Sequence, residues 1–364
     1  MNILILATNA NSLSTKYLKE ACEKRHHTPI IYSPHDLYIH CSDGKGVDKL
    51  YIKNEEIYKE NIDAVIPRTS GGGEYAVTIV RHLHKNMNIF SAISANGMLN
   101  ASDKILTTQL LSKAKIPSPK TTFIQKTYRS DFNYLMNTVG GLPVVGKLQR
   151  GSLGQGVFML ETELAGATTL NVLEELKANL ILQEFIESSE AGAKKSDIRA
   201  FVVGSQVVAS MKRMSITGDF RSNYTVSKEA IPVELSEEEE KMAIKAAQIL
   251  SLGVAGVDIM RDAETNKSYI LEVNSCPSLV GVTKITGVDV AEKIIEYLEK
   301  MRAIKQSREE LLKDEKPLNI YHKVMKYLLD GDIDYHADTI TLNFDKINKI
   351  AKTIEALNNA KIKT

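Results

Sequence analysis

Short apolar runs alternate with amphipathic stretches over the first hundred residues of the chain. Residues 3–7 (Ile-Leu-Ile-Leu-Ala) read as a buried strand, and residues 14–24 carry Leu18, Ala21 and Cys22 at helical spacing on one side. Residues 29–32 and 64–66 continue as strands and 75–84 as a helix, so the alternation predicts a small parallel sheet covered by helices. A helix over 103–114 stops ahead of Pro117 and Pro119. The pattern then changes to strand, helix (130–139), strand (143–148), glycine loop and strand, with further strands over 180–185, 198–203 and 207–212. Ser236 and Glu239 form a capping-box pair at the head of an amphipathic helix running to residue 250. More strands follow, and a helix over 289–301 closes the region. Residues 302–317 are charged and helix-prone, a linker or exposed helix, and the tail reads as helix 320–329, strand 339–344 and helix 346–358. The expected class is α/β with α+β lobes, divided at 1–100, 101–186, 187–301 and 302–364.

Length and composition narrow the picture. At 364 residues the chain suits two or three domains, and 43% hydrophobic with 25% charged residues is ordinary for a soluble globular protein. Lys plus Arg (46) balances Asp plus Glu (45), so no bulk field draws the chain to nucleic acid or membrane. The start lacks a cationic flank and a long apolar run, and no stretch approaches the ~18–20 apolar residues of a bilayer span. Cys22, Cys41 and Cys276 are scattered without paired spacing, which suits a reducing cytoplasm. His26, His27, His82 and His84 suggest no triad, and no Ser or Cys sits in a nucleophile elbow, so covalent catalysis is not favoured. The Asp330/Asp332/Asp334 spacing lacks the central Gly and closing Glu of a calcium loop and reads as a solvated turn.

The chemistry concentrates in polar residues that interrupt apolar strands. Asp258 follows Gly253-Val254-Ala255-Gly256-Val257, and Glu272 and Asn274 stand two apart in Tyr269-Ile270-Leu271-Glu272-Val273-Asn274. Alternation sends Glu272 and Asn274 to one face. Two carboxylates and a carboxamide form a hard-oxygen set suited to Mg²⁺ carrying nucleotide phosphates, the alternative being a structural network; three such groups are costly to bury unpaired. Lys147, on the strand Val144–Leu148, precedes a loop with Gly151, Ser152, Gly154 and Gly156, an arrangement able to cover phosphate; alone, the glycines would equally make a hairpin. Gln183-Glu184-Phe185-Ile186 either receives an adenine edge or is a strand end meeting solvent. Asp197 with Arg199, and Arg221 with Ser222 and Asn223, offer a guanidinium for a phosphoryl group or an oxyanion, the alternative being surface ion pairs. Lys104 would add a cation near phosphates, and Arg68, before Gly71-Gly72-Gly73, a partner for a substrate carboxylate.

In this order the motifs resemble the ATP-grasp superfamily, and in detail the RimK family of ligases that add glutamate to the C-terminus of a ribosomal protein. The similar stretches are 64–68, 101–111, 139–157, 181–186, 197–208, 218–223, 254–259 and 271–291, within about residues 1–300. The resemblance implies an ATP-grasp fold in three lobes, with nucleotide between the central and C-terminal ones. It implies ATP contacts for Lys147, Glu184, Phe185, Asp197, Arg221, Ser222 and Asn223, and two Mg²⁺ or Mn²⁺ ions on Asp258, Glu272 and Asn274. The expected activity is ATP-dependent joining of a carboxylate to an amine through an acyl phosphate, with Arg221 and Lys147 as catalytic residues and Arg68, Arg199 and Tyr224 facing substrate. Glutamate is the first candidate amine and a peptide or protein C-terminus the acceptor, in a cytoplasmic homo-oligomer (dimer or tetramer) that binds neither nucleic acid nor membrane. A small-molecule or oligoglutamate acceptor, and a nucleotide-binding regulatory module, are the alternatives. The sequence departs from the family after Asn223 (Tyr224-Thr225-Val226), after Asn274 (Ser275-Cys276-Pro277), in a longer 186–196 loop and in the added tail. The acceptor is therefore not carried over.

Overall fold

The computed structural model describes residues 1–41, 49–69, 73–125, 131–149, 156–188, 196–215 and 229–313, with side chains as far as 306. In chain order the first lobe contains β1 (Asn2–Ala7), α1 (Leu13–Lys24), β2 (Thr28–Tyr32), β3 (Leu37–His40), β4 (Lys49–Ile52), β5 (Glu55–Ile57), β6 (Ala64–Arg68), α2 (Gly73–Arg81), β7 (Phe90–Ser91), α3 (Ala95–Ser102) and α4 (Lys104–Lys113). Its main sheet is parallel in the order β2-β1-β6-β7. Ile3 to Leu6 on β1 are fully buried, as expected of a strand covered on both faces. The antiparallel β3-β4-β5 sheet is an addition that the apolar pattern did not predict. Its strands are only three or four residues long, too short for periodicity to register, and Tyr38 stacks on Tyr51 across them at 5.2 Å.

The middle of the chain forms β8 (Thr121–Ile124), α5 (Phe132–Thr138), β9 (Val144–Leu148), β10 (Val157–Leu160), α6 (Glu163–Glu175) and β11 (Leu180–Glu184). The sheet is antiparallel in the order β10-β9-β11-β8. It has a core of its own, built on Phe132, Met136, Val144, Leu160, Leu170 and Leu182.

The last part holds β12 (Ser196–Val203), β13 (Gln206–Met214), β14 (Glu229–Pro232), α7 (Glu237–Ile249), β15 (Val254–Arg261), β16 (Ser268–Asn274), α8 (Leu279–Thr286) and α9 (Val290–Lys313). Its sheet is antiparallel, β14-β13-β12-β15-β16. The capping box at Ser236 forms as its spacing predicts: Ser236 Oγ accepts from Glu239 N, and Glu239 Oε2 accepts from Ser236 N at 2.9 Å. The closing helix does not stop at 301 but continues as α9 to Lys313, taking in most of the charged linker stretch.

One apolar core runs through both end lobes, from Ile3, Ile5 and Leu18 to Phe201, Val257, Val273 and Leu298. A charged seam reinforces it. Arg25 at the end of α1 reaches Glu299 at 2.7 Å and Glu292 at 3.3 Å on α9, and His27 Nε2 lies 2.7 Å from Glu299. Among the described residues no helix is long and apolar enough to cross a membrane.

Candidate active site

The five-stranded sheet gathers the polar interruptions on one face. Asp197 and Arg199 stand at i and i+2 on β12, so alternation puts them on the same side. The register sets Arg213 of β13 opposite Asp197, Asp258 of β15 opposite Arg199, and Glu272 of β16 opposite Asp258. Asn274 pairs with Gly256 two residues along. The β15–β16 register shifts just after Asp258, an irregularity of the kind that re-aims side chains beside functional sites.

These groups bond directly. Arg199 clamps Asp258 with two N–H groups, Nε to Oδ1 and Nη2 to Oδ2 at 2.8 Å. Arg213 clamps Asp197 through Nε to Oδ1 at 2.9 Å and Nη2 to Oδ2, and its Nη2 also lies 3.1 Å from Asp258 Oδ2. Burial pushes the Asp258 carboxyl up, but the charges and hydrogen bonds of Arg199 and Arg213 override it and hold the group below the usual carboxylate range. At Asp197 burial wins over Arg213, with repulsion from Asp258 adding to it, and the pKa is raised.

Close approach at Gly256 makes the clamp possible. A Cβ there would stand 2.7 Å from the Pro277 Cβ and 3.1 Å from Arg199 Cδ and Nη1. The Arg199 side chain thus lies across a bare backbone, and the loop after Asn274 presses down beside it. Asn274 Nδ2 donates to the Gly256 carbonyl at 3.4 Å, which leaves the carboxamide oxygen uncommitted to that bond. Two carboxylates and a carboxamide oxygen from neighbouring strands fit a hard divalent cation by donor chemistry. Among the described residues no three His, Cys, Asp or Glu cluster as a metal site.

Lys147 enters from the central sheet, on β9. Its Nζ donates to Gln183 Oε1 at 2.6 Å, and Gln183 is held in turn by Nε2 donating to Thr121 Oγ1 at 3.1 Å. Burial lowers the Lys147 pKa, the carboxylates of Glu272 and Asp258 work against that, and Lys104 works with it. Lysines and acids from three lobes therefore share one electrostatic field. Lys104 is brought there by its neighbour: Asp103 caps α4 by accepting from Ile105 N and Leu106 N, and its Oδ2 accepts from Gln149 just past β9 at 3.2 Å.

The remaining predicted positions fall in different places. Glu184 ends β11 and accepts from Lys120 N and Nζ, each at 3.1 Å, and Phe185 follows it. Gly156 has φ +72° and packs against Leu148 before β10. Arg68 ends β6 at the carboxyl edge of the parallel sheet, where crevices of such sheets bind ligands, and its Nε is buried with no hydrogen-bond partner among the described residues. Gly151, Ser152, Gly154, Arg221, Ser222, Asn223 and Tyr224 lie outside the described residues. Arg213 was missed from sequence. Its signal is phase: Ala209, Met211 and Arg213 are buried at alternate positions of β13, so a charged residue occupies an inward slot.

The description "RimK-like ATP-grasp domain" matches residues 101–298, and "RimK PreATP-grasp domain" matches residues 1–98. A probable alpha-L-glutamate ligase of Picosynechococcus sp. is 39% identical over 303 residues, covering 83% of this chain and 97% of that protein. Another from Vibrio cholerae is 38% identical over 308 residues, covering 85% and 98%. Among solved structures, the ATP-grasp ligase PsnB complexed with minimal precursor, Mg and ADP matches with a TM-score of 0.64 at 17% identity, covering 83% of this chain and 97% of that one. A Chryseobacterium gregarium RiPP-associated ATP-grasp ligase in complex with ADP and a leader and core peptide matches at 0.64 and 18% identity, covering 82% and 97%. With the family models spanning nearly all of residues 1–298 and relatives aligned over almost their whole length, the chain belongs to the RimK-like ATP-grasp family of carbon–nitrogen ligases.

Proposed function

We propose that the protein uses ATP to join an amino acid, glutamate first among candidates, to the C-terminal carboxylate of a peptide or protein. The observation that carries this reading is the pairing of Asp258 with Glu272 across two strands, with Asn274 two residues along from Glu272 and Lys147 in the same field. The names of the relatives support glutamate as the amine, and the peptide complexes of the solved neighbours support a peptide acceptor.

The acceptor carboxylate attacks the γ-phosphorus of ATP, forming a carboxyl–phosphate bond as the bond to ADP breaks. The amine nitrogen then attacks the acyl carbon, loses a proton, and expels phosphate with its bridging oxygen. A divalent cation pair on Asp258, Glu272 and Asn274 would supply charge neutralisation between the approaching anions. Lys147 binds the phosphates from the central sheet, and Lys104 from the head of α4. Glu184 and Phe185 edge the nucleotide, and Asp197, Ser222 and Asn223 complete its contacts. Glycines 151, 154 and 156 with Ser152 cover the phosphates. Arg221 stabilises the acyl phosphate and the tetrahedral oxyanion, and Arg68, Tyr224 and the one Arg199 nitrogen outside its clamp on Asp258 face substrate carboxylates. No side-chain nucleophile is required; positioning and electrostatics carry the rate.

Removing one metal-binding carboxylate tests this reading. Glu272→Ala is expected to abolish amine-dependent ADP release while its thermal melt stays cooperative. Wild-type-like turnover in that variant would remove the metal assignment. Incubating the protein with ATP and glutamate alone, followed by mass spectrometry, separates peptide-tail modification (no oligomer) from oligoglutamate synthesis.

A further inference from the structure

We infer that Arg213 is a positioning residue that sets two carboxylates of the site with a single guanidinium, a role that rests on the metal reading above. Arg213 is 3% exposed, against 13% for the Arg199 side chain, and it touches Asp197 with two nitrogens and Asp258 with one. It therefore spans β13, β12 and β15 and ties Asp197, the proposed nucleotide contact, to Asp258, the proposed metal ligand. A planar guanidinium fork bridges two carboxylates; an ammonium is a point charge and does not hold both in one plane.

The contacts also fix which oxygen of Asp258 meets a cation. A carboxylate offers about four lone-pair directions. Arg199 takes one on Oδ1 and one on Oδ2, and Arg213 Nη2 stands within hydrogen-bond distance of Oδ2. The free direction is on Oδ1, so Asp258 serves a metal through one oxygen while Arg213 holds the other in place. Outer partners that orient a metal-binding carboxylate in this way typically change metal affinity about 10- to 100-fold when lost.

Mn²⁺ binding to the whole 364-residue chain in the presence of ADP, read by the electron paramagnetic resonance signal of free Mn²⁺, tests the assignment without turnover. Arg213→Lys keeps the charge but cannot bridge, and is expected to weaken Mn²⁺ at least tenfold. The double variant Arg213→Met/Asp197→Asn removes both buried charges instead of stranding one, and is expected to show the same loss at saturating ADP, where the Asp197 contact to nucleotide no longer enters, if the lysine variant does not fold. A merely structural arginine would lower the melting temperature yet leave Mn²⁺ affinity within twofold of wild type, and that result in either folded variant overturns the proposal. Failure of the wild type itself to bind Mn²⁺ would instead overturn the metal reading and this inference with it.

Discussion

Gly256 shows how much of the site depends on the absence of one carbon atom. The two neighbours that a Cβ would meet differ in freedom: Pro277 is a ring fixed in the chain, whereas Arg199 is a long side chain able to give way. Gly256→Ala is therefore expected to cost about 1–3 kcal/mol by overpacking and to loosen Arg199 from Asp258. A denaturant titration together with ADP release checks this; unchanged stability with unchanged turnover would contradict the close approach. At the level of single residues, alternation put Glu272 and Asn274 on one face of a strand, and the register sets Asp258 opposite Glu272. Arg213 escaped because Met211-Lys212-Arg213-Met214 presents two adjacent cations, and only the strand's phase says which one turns inward. The bond between Lys147 and Gln183 escaped because the two lie on neighbouring strands, and register across strands cannot be read from spacing along one.

Helix α7 carries the clearest pH signature among the elements. Burial pushes the Glu239 carboxyl up, while hydrogen bonds from Arg261, Ser268 and the Ser236 backbone push it down and win, bringing it from 4.5 to about 2. A carboxyl held below its unfolded value contributes stability that is fully present above pH 4.5 and fades as pH falls toward 2. Urea midpoints measured across that window are expected to fall more steeply for wild type than for Glu239→Gln; parallel slopes would contradict the assignment. Ser236 and Glu239 were readable as a capping box because the motif is local. Arg261 and Ser268, which lie 22 and 29 residues away, come to Glu239 only through the strands beneath the helix. The β3-β4-β5 sheet was unreadable for a related reason: strands this short gain their definition from cross-strand stacking and pairing, not from their own periodicity.

Across the whole molecule, the end lobes share a continuous core and a charged seam, and the central sheet stands on a separate core. Lys147 is thus carried by a sheet with a core of its own, apart from the core beneath Asp258 and Glu272. The parallel N-terminal sheet and the family's order of motifs were legible from sequence, because both follow from alternation and from motif order. The joining of the end lobes into one core was not, since it depends on Leu18, Phe201 and Leu298 meeting across most of the chain's length.

The most direct test of a divalent site built from strands β15 and β16 is a crystal of the protein with ADP and Mn²⁺, with anomalous scattering collected at the manganese edge. Peaks are expected in coordination contact with carboxylate oxygens of Asp258 and Glu272 and the carboxamide oxygen of Asn274, next to the nucleotide phosphates. Peaks confined to other residues, with those three side chains left uncoordinated beside bound ADP, would contradict it.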